Sequence, residues 1–378
     1  MTALALALLV LAAALFAWSY LVYPAVIARR ARRYAAKPVT ISSPAPPLSV
    51  EVLVAAADEE GVIGRRIENL LAQKNGGNSG VAIGCDGCRD RTAEVARATG
   101  GERVRIIELE ERRGKAAVLN ALVARSAADV LVFTDANTEF EEDAVARLVA
   151  PFTDGRVGAV CGRLVLESPD RGARTAETLF WDRETRLKEA EGKLGVCLGA
   201  NGAIYAARRE QVGPLPEDTS MDDFLIPARI ARQGSRVVFA GDAVARETAP
   251  ALVSAERARR FRLGIGAGQV LRRERWLFQA SRHPALTFVF LSRKVARWLA
   301  PVLALLGLFA AVGSARLAPF ALAALAIVAL LLVLLEPRSL TGPWGKLYYF
   351  CVMNVVLAAG VLAGLFGMSR PAWNRTPR

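Results

Sequence analysis

The sequence is short of histidine, cysteine and acid. One histidine, His283, serves all 378 residues, and the five cysteines are odd in number. Cys85 and Cys88 form a C-x-x-C, but no second pair comes after them and His283 lies far along the chain. A structural zinc needs four ligands, so the thiols read as packed side chains rather than a metal or redox centre. Acidic residues number 36 against 49 lysines and arginines, a formal net charge of +13. Such a surplus raises nucleic acid as a partner, yet there is no recognition module and no basic strip interleaved with aromatics, which excludes that class. The surplus instead flanks apolar segments: Arg29, Arg30, Arg32, Arg33 and Lys37, then 257–275. That placement suits anionic lipid headgroups and control of membrane topology.

Apolar residues are in excess, at 53%, and concentrated at the two ends, so the chain reads as a membrane protein with a soluble middle. Residues 3–27 are apolar and uncharged, and about 20 residues suffice to span a bilayer. The start is neutral and the basic cluster comes after the span, which marks an anchor rather than a cleaved signal and puts the soluble middle in the cytoplasm. The expected organisation is a transmembrane helix at 1–28, a basic and Pro-rich linker at 29–48, and a soluble domain at 49–255. Amphipathic interfacial helices come next at 256–297, then apolar spans within 298–368 (298–315, 318–335 and 347–367) and a basic tail at 369–378. Three C-terminal spans would put the tail outside, whereas its arginines favour the inside. Either one segment only dips into the bilayer, or the surface helix at 285–297 inserts as well.

Within the soluble part, short apolar runs alternate with helical patterns. SVEVLVAAA, VAIGCDG, VRIIELE and VLVFTDAN read as strands separated by helices, an alternation that predicts a doubly wound, mostly parallel sheet. Three strands end in acids, at Asp58 with Glu60, at Asp86 and at Asp135. Parallel strand ends converge on one edge, where ligands of open α/β sheets collect. Asp135, with the oxygen donor of Asn137 two residues on, suits a hard divalent cation held against a diphosphate. Asp222-Asp223 opens a helix; adjacent carboxylates raise one pKa by mutual repulsion, and only one of them points at a given face. Lys115, after Gly114, stands where helix starts bind phosphate. Trp181, on a long charged helix, is open to core packing or to sugar stacking.

In order along the chain, AAADEE (55–60), CDGCRDRT (85–92), RRGKAAVLN (112–120), FTDANT (133–138), GANG (199–202) and MDDF (221–224) resemble the membrane-embedded family 2 glycosyltransferases. That family has the GT-A fold and includes the cellulose, chitin, hyaluronan and poly-N-acetylglucosamine synthases. The resemblance implies a GT-A domain with one N-terminal and about three C-terminal transmembrane helices. It assigns donor binding to Asp58, Glu60, Asp86, Arg113, Lys115 and Asp135, and a Mg²⁺ or Mn²⁺ ion to Asp135 and Asn137. Asp223, beside Asp222, would be the general base, and Gly199, Ala200, Asn201, Gly202 and Trp181 would meet the acceptor, with Gln269 and Arg272 from a partial Gln-x-x-Arg-Trp signature. Three motifs depart from the pattern: Ala55, Ala57 and Asp58 stand where the first strand would end in Pro and then Tyr-Asn, Asn137 stands for Asp, and Arg273 for the signature Trp that supports a growing chain.

The implied function is inverting transfer of a sugar, from a nucleotide-sugar donor (a UDP-sugar first) to a saccharide or lipid-linked acceptor at the inner membrane, in envelope glycan synthesis. The alternatives are a polyprenyl-phosphate sugar synthase, and a membrane protein that binds a nucleotide sugar without turning it over. A partner subunit stays open.

Overall fold

The computed structural model describes residues 1–34, 48–74, 79–167, 176–248, 253–314, 316–323 and 343–369. Most of the expected linker, the second C-terminal span and the basic tail lie outside them. An apolar helix, α1 (Thr2–Arg33), leads the chain. The soluble part is built on eight strands: β1 (Val50–Ala56), β2 (Ser79–Asp86), β3 (Val104–Leu109), β4 (Val130–Asp135), β5 (Glu139–Phe140), β6 (Val157–Glu167), β7 (Tyr205–Arg208) and β8 (Arg236–Thr248). They form one sheet in the order β3-β2-β1-β4-β7-β6-β8-β5.

The first half behaves as the alternation predicts. β3, β2, β1 and β4 are mutually parallel, with Ala55 opposite Gly84 on one side and Asp135 on the other. β1 and β4 are buried on both faces, as expected of continuous apolar runs between two helical layers. Helix α2 (Glu60–Leu71) covers one face through Ile63, Ile67 and Leu70, spaced along one stripe. Helix α3 (Thr92–Gly100) lies beside it, and α4 (Lys115–Ala124) covers the opposite face with Val118, Leu119 and Leu122.

Beyond β4 the sheet turns mixed, where the alternation predicts a mostly parallel arrangement. β7 runs antiparallel to both β4 and β6, β8 parallel to β6, and β5 antiparallel to β8. Helix α5 (Ala144–Val149) precedes β6, and the long helix α6 (Ala176–Lys193) leads from it, through a Gly-rich turn, into the four-residue β7. Helix α7 (Asp222–Arg232) comes after it.

Helix α8 (Val253–Arg273) leads to α9 (Pro284–Val312) and α10 (Pro343–Leu365). The boundary expected at 297 falls inside α9, because a wide π-turn at Phe290–Val295 carries the helix through without a break. Among the described residues, α1 and α9 are long and apolar enough to cross a membrane, and they pack along each other. Residues 256–273 are not detached from the apolar helices. A Cβ on Gly264 would stand 2.8 Å from the Gly360 Cα, and Gly268 and Gly364 meet the facing backbones as closely, so α8 and α10 pack backbone to backbone.

Candidate active site

The carboxyl ends of β1 and β4 and the first turns of α4 and α7 bring the acidic residues to one edge. Asp135, the last residue of β4, shares a cavity of about 240 Å³ with Lys115, Asp222, Asp223, Glu247, Asn201, Gly202 and Trp181. Lys115 Nζ lies 2.8 Å from Asp135 Oδ1 and 3.6 Å from Asp222 Oδ2. Burial pulls the Lys115 pKa down, but Asp135, Asp222 and Asp223 together outweigh it and raise it above the ordinary lysine value. The ammonium therefore stays charged throughout the neutral range.

The two adjacent acids differ as a helix start requires. Asp222 is buried, and its Oδ2 accepts the Tyr205 hydroxyl at 3.3 Å; the Tyr205 ring lies flat on Phe133, centroids 4.6 Å apart. Asp223 is more open to the cavity, and its backbone carbonyl accepts the Ala200 N–H at 2.8 Å. Burial and the charge of Asp222 raise the Asp223 pKa above the usual carboxylate range, against the opposing pull of Lys115. A carboxylate so raised is a stronger base than a solvated one.

The Gly199–Gly202 turn is fixed from behind. Gly199 has φ +96°, a conformation that favours glycine, and a Cβ there would stand 3.2 Å from Lys294 Nζ. The buried Lys188 ammonium donates to Ala200 O at 3.1 Å and to Asn201 Oδ1, while Asn201 Nδ2 donates to Gly162 O at 2.7 Å. Asn201 and Gly202 line the cavity; Gly199 and Ala200 only support it, a correction to the expected acceptor set. Trp181 also lines it, with the Arg259 guanidinium 5.5 Å from its ring centre.

Other expected contacts are spent elsewhere. Asp86 is fully buried, and its two oxygens accept the backbone N–H groups of Arg113 and Gly114 at 2.7 and 2.9 Å. It pins the loop that presents Lys115. Arg113 reaches only the rim, where it pairs with Glu217. Asp58, in the left-handed region at φ +57°, is held by Arg112 at 2.6 Å and by the Arg89 N–H. Glu60 accepts the Arg91 N–H. Asp58, just after β1, and Glu60, at the start of α2, both lie outside the cavity lining. Asn137 lies outside it as well, as do Gln269, buried and bonded to Asp218 O at 2.9 Å, and the exposed Arg272.

Sequence reasoning passed over Glu247, Lys188, Arg66, Arg259 and Arg262. Glu247 had a signal, an acid near the end of an apolar strand; its Oε1 accepts the Thr138 hydroxyl at 2.6 Å. Arg66, buried behind β4, donates to Thr134 Oγ1 at 2.7 Å and lies over Phe140, and burial lowers its pKa to about 9. It underpins the residue next to Asp135.

Five carboxylates, Asp135, Glu217, Asp222, Asp223 and Glu247, line the cavity together with Lys115, oxygen donors of the kind a hard divalent cation takes. Of the two expected ligands Asp135 is among them, whereas Asn137 is not. Asp58, Cys88 and Asp90 also bring ligand atoms within 4.8 Å of one another, but Arg112 already pairs Asp58 and Asp90 accepts from Thr92. Cys85 and Cys88 are free thiols, the first buried in the sheet.

The mixed sheet, with a carboxylate-and-lysine cavity at the edge of its parallel half, is an α/β domain of GT-A type. Residues 46–266 match the family model described as glycosyltransferase like family 2, and the chain belongs to that family. It is 24% identical over 229 residues to an N-acetylglucosaminyltransferase of Azorhizobium caulinodans, covering 56% of this chain and 58% of that relative. Over 265 residues it is 23% identical to a poly-beta-1,6-N-acetyl-D-glucosamine synthase of Staphylococcus aureus, covering 68% and 64%. The chain thus spans little more than half the length of the first of these relatives. A solved mannosyltransferase from Pyrobaculum calidifontis, in complex with GDP-Man and Mn²⁺, superposes with a TM-score of 0.67 over 95% of this chain and 99% of the other. At 24% identity that likeness establishes the GT-A fold.

Proposed function

We propose that the protein is a membrane-associated glycosyltransferase that moves a sugar, with inversion, from a nucleotide-sugar donor to a saccharide acceptor in envelope glycan synthesis. One observation carries the reading: Asp223, its pKa raised by burial and by Asp222, faces the cavity that also holds Lys115 and Asp135. In the proposed reaction Asp223 takes the proton of the acceptor hydroxyl. The acceptor oxygen bonds to the anomeric carbon from the face opposite the nucleotide, the carbon–oxygen bond to the diphosphate breaks, and its electron pair leaves with the nucleoside diphosphate. Lys115 holds Asp135 and Asp222 in register beside the base. Asp135 would hold Mg²⁺ or Mn²⁺, which when bound offsets the charge gathering on the diphosphate.

The names of the relatives support an N-acetylglucosamine donor, and α1 and α9 support attachment to a membrane. The test presents membranes containing the protein with UDP-N-acetylglucosamine, UDP-glucose and GDP-mannose, each with Mg²⁺, Mn²⁺ or chelator. Cation-dependent transfer from one donor is expected. Binding without turnover of any donor would overturn the reading in favour of a binding protein.

A further inference from the structure

The cavity has a second wall that the proposed reaction leaves unused. Arg259 and Arg262, about one turn apart on α8, line it together with Leu263 on the same helix face. Arg259 is placed over Trp181 and shares the buried Glu256 with Arg260. Arg262 is half-buried, and among the described residues no carboxylate lies within ion-pair distance of it. Burial, then the neighbouring charge of Arg259, lower its pKa against the weaker pull of Glu256. A guanidinium drawn partly out of water with no carboxylate in ion-pair reach is costly, and a neutral sugar does not repay that cost. The backbone contact of Gly264 and Gly268 with Gly360 and Gly364 fixes α8, and with it both arginines, against the apolar helix α10.

We infer that Arg262, with Arg259, forms a subsite for phosphoryl oxygens of the acceptor, and that the acceptor is a sugar joined through a diphosphate to a membrane lipid. The inference rests on the transferase reading and specifies its acceptor. The lipid would run along α10, the diphosphate would meet the guanidinium fork, and the sugar hydroxyl would reach Asp223. Donor phosphates would stay on the Lys115 and Asp135 side.

Binding tests this without turnover. The full-length protein in detergent is titrated with farnesyl-diphosphate-linked N-acetylglucosamine, with neutral chitotriose and with UDP, as wild type, Arg262→Gln and Arg262→Lys. The expected result is that Arg262→Gln weakens the charged probe by about tenfold or more, the size of one lost charge-assisted contact, while chitotriose and UDP bind as before and Arg262→Lys recovers part of the loss. An unchanged unfolding midpoint separates the effect from misfolding. Equal binding of the charged probe by wild type and Arg262→Gln overturns the inference. So does a matching loss of UDP, which would give the arginines to the donor. If the charged probe behaves as expected but no donor turns over, the transferase reading fails and the subsite stands.

Discussion

Lys115, the first residue of α4, closes a 2.8 Å ion pair with Asp135, the last residue of β4, and the same ammonium stands 3.6 Å from Asp222. One cation thus ties a helix start, a strand end and the first turn of α7 together. Lys115→Met is expected to leave those carboxylates unneutralised and lower kcat/KM by about 10²–10³-fold, the scale of losing one fixed electrostatic group. Steady-state kinetics on purified membranes check this; activity within threefold of wild type, on the order of the scatter of such contributions, would contradict the role.

The Asp222–Asp223 pair sets a pH dependence. Asp223 holds its proton more tightly than an ordinary aspartate, so activity is expected to fall, as pH is lowered, at a pH above the usual carboxylate range. Asp222→Asn removes the repelling charge and should move that acidic limb to lower pH. The same shift gives the sign for stability: the folded state binds this proton more tightly than the unfolded chain, so its contribution diminishes as pH rises through the folded pKa. Profiles of kcat/KM for both proteins settle the matter, and an unmoved limb would count against Asp223 as the base.

Arg293, fully buried on α9, pairs with Glu184 at 2.8 Å and with Glu191, and Glu191 accepts the Tyr23 hydroxyl at 2.6 Å. This cluster joins both long apolar helices to α6, whose Lys188 holds the Asn201 turn. Arg293→Met leaves two buried carboxylates with one partner fewer, an expected cost of about 3–5 kcal/mol. Thermal unfolding in detergent measures it. Arg293→Met combined with Glu191→Gln is expected to recover part of the loss.

Packing between α8 and α10 depends on the missing side chains of Gly264 and Gly360. Gly360→Val has no room against the facing backbone and should lower the unfolding midpoint. Ala359→Val, on an exposed position of the same helix, should not. Equal effects would mean that the two helices do not meet as described.

Much of this was legible in the residues. The runs ending at Asp135 and Asp58 are apolar because those strands are covered on both faces, and their alternation with α2 and α4 imposes the parallel half. The mixed half was not legible, since four residues of β7 carry no sign of strand direction. Asp86 shows a further limit: an acid at a strand end does not disclose that it also accepts two backbone N–H groups of the loop before α4. Arg259 and Arg262 were hidden in a stretch that reads as a basic amphipathic helix on the membrane surface, because periodicity reveals a polar stripe but not the cavity it lines. The glycine spacing at 264 and 268, and again at 360 and 364, marks two close-packing faces without naming them as partners.

The central claim is that Asp223 acts in the chemical step and not in holding the donor. Measuring donor affinity by titration and turnover by sugar transfer, on wild type and Asp223→Asn side by side, tests it most directly. The account expects turnover to fall by about 10³-fold or more with donor affinity changed less than about threefold, as for loss of a group used only in the transition state. Turnover retained in Asp223→Asn, or lost only in proportion to donor affinity, would contradict it.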